Sequence, residues 1–443
     1  MRAKPGHVTL ALAFLATLSI AGARGSTASR DVPGAIPGVN KAPLSGEARP
    51  APVDLLLARN RKLLAAKQKR LAALEAIKTK GVLPDPMFSN SFFLQSIETR
   101  NGPMENQIML SQKFPLWGKL SRQGKVATLM AEKATFNLET LQVVVVFQMN
   151  KNYANYLKLK HSLEILEQYQ EELNSFRKVA LTQYSTGTGM TQHPILKLQI
   201  ETSLVESKIN TLQTKLDAVE NMLQALFDGV FSPALFPPDW DIVIPTDSAV
   251  AWLKRAETTH PGYLEARTNL LLAQVQQELA TRKNYPDLIT GVTYTSIGDT
   301  PEMNENDPGR DAFGIKLGLN LPLWFGRNKA RVESATLNVK AQEELVADVW
   351  NAIEQEVQSV VIQREEIEET YQLYQGGLLQ EADQMVSSAF SAYETGKISF
   401  LDLLDSERMA VRIRLEFEAV IAERRIAAAQ LLKAVGLIDL NEE

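Results

Sequence analysis

The apolar residues of this chain change period several times, and the whole succession then recurs. From Val53 to Lys80 they fall at helical spacing, until Gly81 ends the run and Pro84 and Pro86 block its return. Over 87–95 and 105–114 the period shortens to that of strands, joined through Arg100-Asn101-Gly102-Pro103, which is turn chemistry. From Lys119 to Ser185 no proline interrupts the stripe Ala127, Ala131, Ala134, Leu138, Leu141, Val145 and Met149, at intervals of three and four. At 1.5 Å per residue such a helix measures about 100 Å, far longer than helices of ordinary globular proteins. Thr186-Gly187-Thr188-Gly189 then makes a tight tip, and a returning helix is predicted over 194–227.

The second passage is clearer. Leu288, Thr290, Val292 and Tyr294 alternate with Ile289, Gly291, Thr293 and Thr295. Phe313, Ile315, Leu317, Leu319 and Leu321 alternate with Gly314, Lys316, Gly318 and Asn320. That is period two, with one apolar face and one small or polar face. It predicts strands over 287–295 and 312–321, then a long helix over 327–395, a tip at Thr395-Gly396-Lys397 and a return helix over 400–435. Short motifs return in the same order. Leu83-Pro84-Asp85-Pro86 is echoed by Tyr285-Pro286-Asp287-Leu288. Phe114-Pro115-Leu116-Trp117-Gly118-Lys119 is echoed by Leu321-Pro322-Leu323-Trp324-Phe325-Gly326-Arg327, and Tyr184-Ser185-Thr186-Gly187 by Tyr393-Glu394-Thr395-Gly396. The offset is about 205 residues throughout, as a tandem duplication leaves it. The expected organisation is a mostly α chain of two αββαα repeats, 54–230 and 262–437, with a connector at 231–261 and a short tail at 438–443.

Each strand is close to the length a membrane β-strand needs. Four such strands cannot close a barrel, and unpaired edges in lipid are prohibitively costly. Two copies would supply eight strands and a filled interior; three would supply twelve and room for a lumen. The strands alone require association without choosing between these numbers.

Other features narrow the class. Arg2 and Lys4 precede an apolar run from Val8 to Ile20 and the small residues Ala21-Gly22-Ala23, so residues 1–23 read as a signal peptide, followed by a flexible lead-in over 24–53. Without the two cations of that segment the formal charge moves from −5 to −7, and no basic excess points to nucleic acid. There is no cysteine, so neither a disulfide framework nor a lipid on a cysteine is expected. After residue 23 the histidines are His161, His193 and His260, far apart, and no phosphate loop, nucleophile elbow or His-Glu-x-x-His is present. Neither an enzyme nor a cofactor or metal site is expected.

The ordered motifs, met twice from about Val53 to Leu437, resemble the TolC family of outer-membrane efflux proteins. The resemblance implies a homotrimer whose strands share one twelve-stranded β-barrel in the outer membrane lipid. Its long antiparallel coiled-coil hairpins would form a periplasmic α-barrel. It also implies docking to a periplasmic adaptor (membrane fusion protein) and an inner-membrane pump of the RND type, with the channel acting as a passive exit duct. The segment Glu98 to Pro103 and the Pro-Leu-Trp-Gly-Lys motif look most like the heavy-metal-cation branch. Two other classes compete: a soluble periplasmic coiled-coil scaffold or adaptor, and an outer-membrane channel for type I protein secretion.

Within the resemblance, Asp402 and Asp405 match aspartates that line the tunnel constriction. Three apart on one helix face, they would set six carboxylates around a threefold axis. The bland alternative is that Ser399-x-x-Asp402 is a capping box and Asp405 a solvated residue. Gly187, Gly189, Gly396 and Lys397 occupy the hairpin tips where an adaptor would dock. Gly376 and Gly377 interrupt the second long helix, at a cost of about 1 kcal/mol each relative to alanine, and form a candidate hinge. His193-Pro194 reads as a helix start, and Glu365-Glu366-Ile367-Glu368-Glu369 as a solvated face.

Overall fold

A computed structural model describes residues 51–99, 102–185, 192–236, 245, 247–298 and 311–439. The expected signal peptide and most of the lead-in lie outside the described residues, as do Gly187 and Gly189 at the first tip.

One helix was expected before the first strand, and two are found: α1 (Ala51–Arg59) and α2 (Arg61–Thr79). The break is chemical. Asn60 turns out of the helix, and its carboxamide oxygen accepts the N–H groups of Lys62 (3.1 Å) and Leu63 (3.2 Å) while its Nδ2 donates to the Leu226 carbonyl at 3.0 Å. Strands β1 (Met87–Thr99) and β2 (Gly102–Phe114) follow. The hairpin runs further toward its turn than its alternation predicted, because a bulge between Phe92 and Ile97 resets the register. Helix α3 (Lys119–Ser185) is unbroken over 67 residues. Helix α4 (Gln192–Leu226) returns antiparallel along it, so that Leu198 and Val205 meet Tyr169 and Leu173 near one end and Leu223 meets Met149 near the other.

The connector carries more structure than its prolines suggested: a 3-10 turn at Pro233–Leu235 and helix α5 (Ala249–Thr259). Ser248 caps α5, and Trp252 and Ala256 are fully buried against later helices. Then come α6 (Pro261–Arg282), β3 (Leu288–Ile297), β4 (Ala312–Leu319) and α7 (Phe325–Leu373). The second long helix is not continuous to 395, as its pattern predicted. A π turn at Tyr374–Leu378 interrupts it, with Gly377 at φ 178° and ψ −36°, before α8 (Leu379–Glu394). Helix α9 (Phe400–Val435) ends on Gly436 in the left-handed conformation.

The four strands form one antiparallel sheet in the order β1-β2-β3-β4, open at both edges. Directly paired residues share a face, so the register sorts the side chains. One row runs Phe88, Leu110, Val292, Ile315; on the opposite face a row runs Ser91, Gln107, Thr295, Ala312. The apolar face is the uncovered one: Phe92, Phe313, Ile315 and Leu317 are 69–75% exposed, whereas Ser111 and Thr295 are only 7% and 4% exposed. The sheet is inside out relative to a water-soluble one. Among the described residues no helix is long and apolar enough to cross a membrane.

Three apolar clusters hold the helices. One joins α1 to α4 around Leu56, Met149 and Phe227, a second joins α5, α7 and α9 around Trp252 and Leu431, and the third joins α3, α4 and α9 around Leu173, Leu198 and Leu404. Asn60→Ala removes the α2 cap and leaves the Leu226 carbonyl without its donor, so stability should fall by about 1–2 kcal/mol. Circular-dichroism melting checks this; an unchanged midpoint would show that the break does not depend on Asn60.

Candidate functional site

Polar chemistry gathers at two places, the base of the sheet and the hairpin tip. At the base, the segment after β2 grips the segment before β3. Lys119 donates to Asp287 Oδ1 at 2.5 Å and to the Tyr285 carbonyl at 2.7 Å, and Lys113 reaches Asp287 Oδ2 at 3.0 Å. Lys119 and Asp287 are both buried. Trp117 donates its indole N–H to the Pro286 carbonyl at 3.1 Å, packs its ring against Tyr285 at 5.4 Å, and accepts at its own carbonyl from Arg282 at 2.5 Å. These contacts hold Trp117 at φ 63°, a conformation a bulky residue adopts only under constraint. Asn320, just past β4, accepts the Asp287 backbone N–H.

At the tip, α8 closes with Gly396 at φ 68°. The Gly396 N–H bonds Tyr393 O and the Lys397 N–H bonds Ala392 O, both at 2.9 Å. This paired closure needs the left-handed residue that glycine supplies. Lys397 is exposed. Ser399 then starts α9. Its hydroxyl accepts the Asp402 N–H at 3.3 Å, while Asp402 Oδ2 accepts from the Ser399 N–H at 2.9 Å and hydroxyl at 2.7 Å. The capping box is therefore present, and those two donors hold the Asp402 carboxyl below the usual carboxylate range.

Asp405, one turn on, is exposed and pairs with Arg408 at 3.5 Å. Arg408 continues the chain of charge: it forks onto Glu201 of α4 at 2.5 and 3.3 Å, and Tyr169 of α3 donates to the same carboxylate at 3.4 Å. Burial chiefly, and then the Glu201 charge, push the Tyr169 phenol far above its ordinary value. Sequence reasoning missed this relay. The i,i+3 spacing of Asp405 and Arg408 was a visible signal, but Glu201 and Tyr169 meet them only through interhelical packing.

Beside the relay sit two carboxyls with raised pKa values. Glu407 is raised first by burial and then by Glu172, and Glu172 by burial; Arg414 opposes both shifts. Arg414 itself bonds Asp383 at 2.7 Å. Gly376 and Gly377 lie in the π turn, where Tyr374 donates to Glu416 at 3.1 Å and Tyr371 and Tyr374 stack on Phe417. Of the acidic run, Glu365, Glu366 and Glu369 are exposed while Glu368 pairs with Arg424 at 2.7 Å. His193 is exposed on the first turn of α4. No group of three or more His, Asp or Glu among the described residues is arranged to hold a metal.

A carboxyl whose pKa is raised on folding favours the protonated fold. Its contribution is complete below the ordinary glutamate value of about 4.3 and is lost as pH rises through the raised value. Glu407→Gln should therefore raise the melting temperature at pH 7, with the gain shrinking below about pH 4.5. Glu201→Gln should lower it, because the Arg408 fork loses its charged acceptor. Melting curves of both variants across pH check the pair of signs.

Comparison with known proteins agrees with this arrangement. Residues 252–437 match the family model described as outer membrane efflux protein. The cobalt-zinc-cadmium resistance protein CzcC of Cupriavidus metallidurans is 24% identical over 242 residues, a stretch covering 54% of this chain and 55% of that protein. The chain thus spans about half the length of this curated relative. The fold matches the Campylobacter jejuni CmeC outer membrane channel with a TM-score of 0.71 at 16% identity, over 88% of this chain and 86% of that one. It matches VceC of Vibrio cholerae with a TM-score of 0.69 at 17% identity, over 87% and 95%. Residues 252–437 are thus similar to the outer membrane efflux protein family, and the described fold is that of solved outer membrane channels.

Proposed function

We propose that this chain is one protomer of a trimeric exit duct, passively carrying cargo from an inner-membrane pump across the outer membrane. The observation that carries the reading is the inside-out sheet, with its apolar face uncovered, Ser111 and Thr295 of its polar face sheltered and both edges unpaired. Three copies would close twelve strands, leaving a polar lumen and an apolar wall. The helices of two αββαα units would extend the lumen through the periplasm. Adaptor docking is assigned to the tips, Gly187, Gly189, Gly396 and Lys397, and the pump to the RND type.

The cargo reading favours metal cations. It rests on the likeness to a cobalt-zinc-cadmium resistance protein and on exposed carboxylates at Glu365, Glu366 and Glu369. Loss of cobalt, zinc or cadmium tolerance in a deletion strain supports it; a secretion defect with unchanged metal and drug tolerance would favour protein export instead.

Asp402 and Asp405 are assigned to the constriction. The capping bond fixes the first in place, and the Arg408–Glu201 link ties the second to the neighbouring hairpin. Asp402→Ala with Asp405→Ala should raise single-channel conductance and lower cation preference in planar bilayers. Ser399→Ala, which removes the cap and keeps both carboxylates, should preserve that preference. Wild-type conductance in the double variant would remove the gate assignment.

Gly376 and Gly377 are assigned to a hinge that lets the α8–α9 hairpin swing. A Cβ at Gly376 meets nothing within 4 Å and one at Gly377 meets only Glu381 Oε1 at 3.8 Å, so alanine at both tests backbone freedom without a clash. The double alanine variant should assemble normally and transport less; unchanged transport would count against the hinge.

A further inference from the structure

The base-of-sheet grip is made once within the chain, yet the sequence writes both of its halves twice. Following β2, Trp117 and Lys119 hold Tyr285-Pro286-Asp287 ahead of the neighbouring strand β3. The counterparts are Trp324 and Arg327 following β4, and Leu83-Pro84-Asp85 ahead of β1. These lie beside the two open edges of the sheet and cannot both belong to one closed contact within the protomer. The side chains are uncommitted: among the described residues the Asp85 carboxylate and the Arg327 guanidinium make no ion pair or hydrogen bond and are exposed, and Trp324 is 70% exposed. Trp324 also sits at φ −84°, while the gripped Trp117 is held at φ 63°. One side of the Asp85 segment is already partnered, since Gln112 at the end of β2 donates to the Pro84 carbonyl at 2.7 Å; at the other segment Asn320 past β4 accepts from the Asp287 backbone N–H. Only the side facing the free edge of β1 lacks its cation.

We propose that Arg327 and Trp324 of one protomer grip Asp85 and the Pro84 carbonyl of the next, a second copy of this chain, wherever β4 pairs with a neighbour's β1. Arginine in place of lysine suits a contact between subunits, because its planar fork takes a carboxylate through two bonds and fixes its orientation. Trp324 then adopts the left-handed conformation of Trp117. The grip makes the seams between protomers chemically equivalent to the β2–β3 seam inside each one. This inference rests on the oligomeric reading above and adds the residues that specify which edge meets which.

The absence of cysteine makes the test direct. In detergent-purified full-length protein, Asp85→Cys with Arg327→Cys should give covalent multimers on a denaturing gel after treatment with a short bismaleimide. Each single cysteine variant should give none. Asp85→Arg should abolish the heat-resistant oligomer band, and adding Arg327→Asp should restore it. Light scattering of the unmodified protein separates the two levels. An oligomer in which the cysteine pair gives no covalent species and Asp85→Arg is as heat-resistant as wild type overturns the grip, whereas a monomer overturns the oligomeric reading beneath it.

Discussion

The arrangement depends on where water is excluded. A four-stranded sheet that shelters Ser111 and Thr295 while leaving Phe92, Ile315 and Leu317 uncovered is arranged against the ordinary hydrophobic driving force. It is stable only where the surroundings of the apolar face are themselves apolar and the edge N–H and C=O groups find partners. Closure with other copies inside a bilayer, as proposed above, would meet both conditions together. Helices α3 and α7 start from the sheet, a few residues past the ends of β2 and β4.

The helical part solves a different problem. Helices as long as α3, about 100 Å, reach beyond any one globular core, and the core is divided into three clusters along the length. Between and beyond the clusters, charged side chains on facing helices fix the register: Arg424 with Glu368, Arg414 with Asp383, and Arg408 with Glu201. The two more exposed pairs, Arg424–Glu368 and Arg414–Asp383, add little stability singly. Near the tip Arg408 also couples Asp405 to two other helices.

Much of this was legible in the residues, and the failures have physical causes. Period-two alternation located β3 and β4, and an unbroken heptad-like stripe located the helix from Lys119 to Ser185, because both signals come from burial on one face. The break at Asn60 was hidden, since a single asparagine inside a helical pattern gains its capping role only when Leu226 is brought within reach. Helix α5 was hidden by the prolines around it; Trp252 is its anchor, and the pocket that receives Trp252 is built from residues a hundred positions later. At the site, Asp402 and Asp405 stood out through the family resemblance, and the capping geometry of Asp402 followed from Ser399. The buried Glu407 and the Arg408–Glu201–Tyr169 relay did not stand out, because nothing in the local sequence distinguishes a glutamate that faces another helix from one that faces water.

The central claim is that copies of this chain complete a closed wall around a polar lumen. Electron cryomicroscopy of the purified full-length protein in detergent tests it most directly. The account predicts a threefold particle, with the strands encircled by the detergent belt and a helical tube projecting from it. A monomer that stays soluble without detergent, its sheet apolar face covered by its own chain, would contradict it.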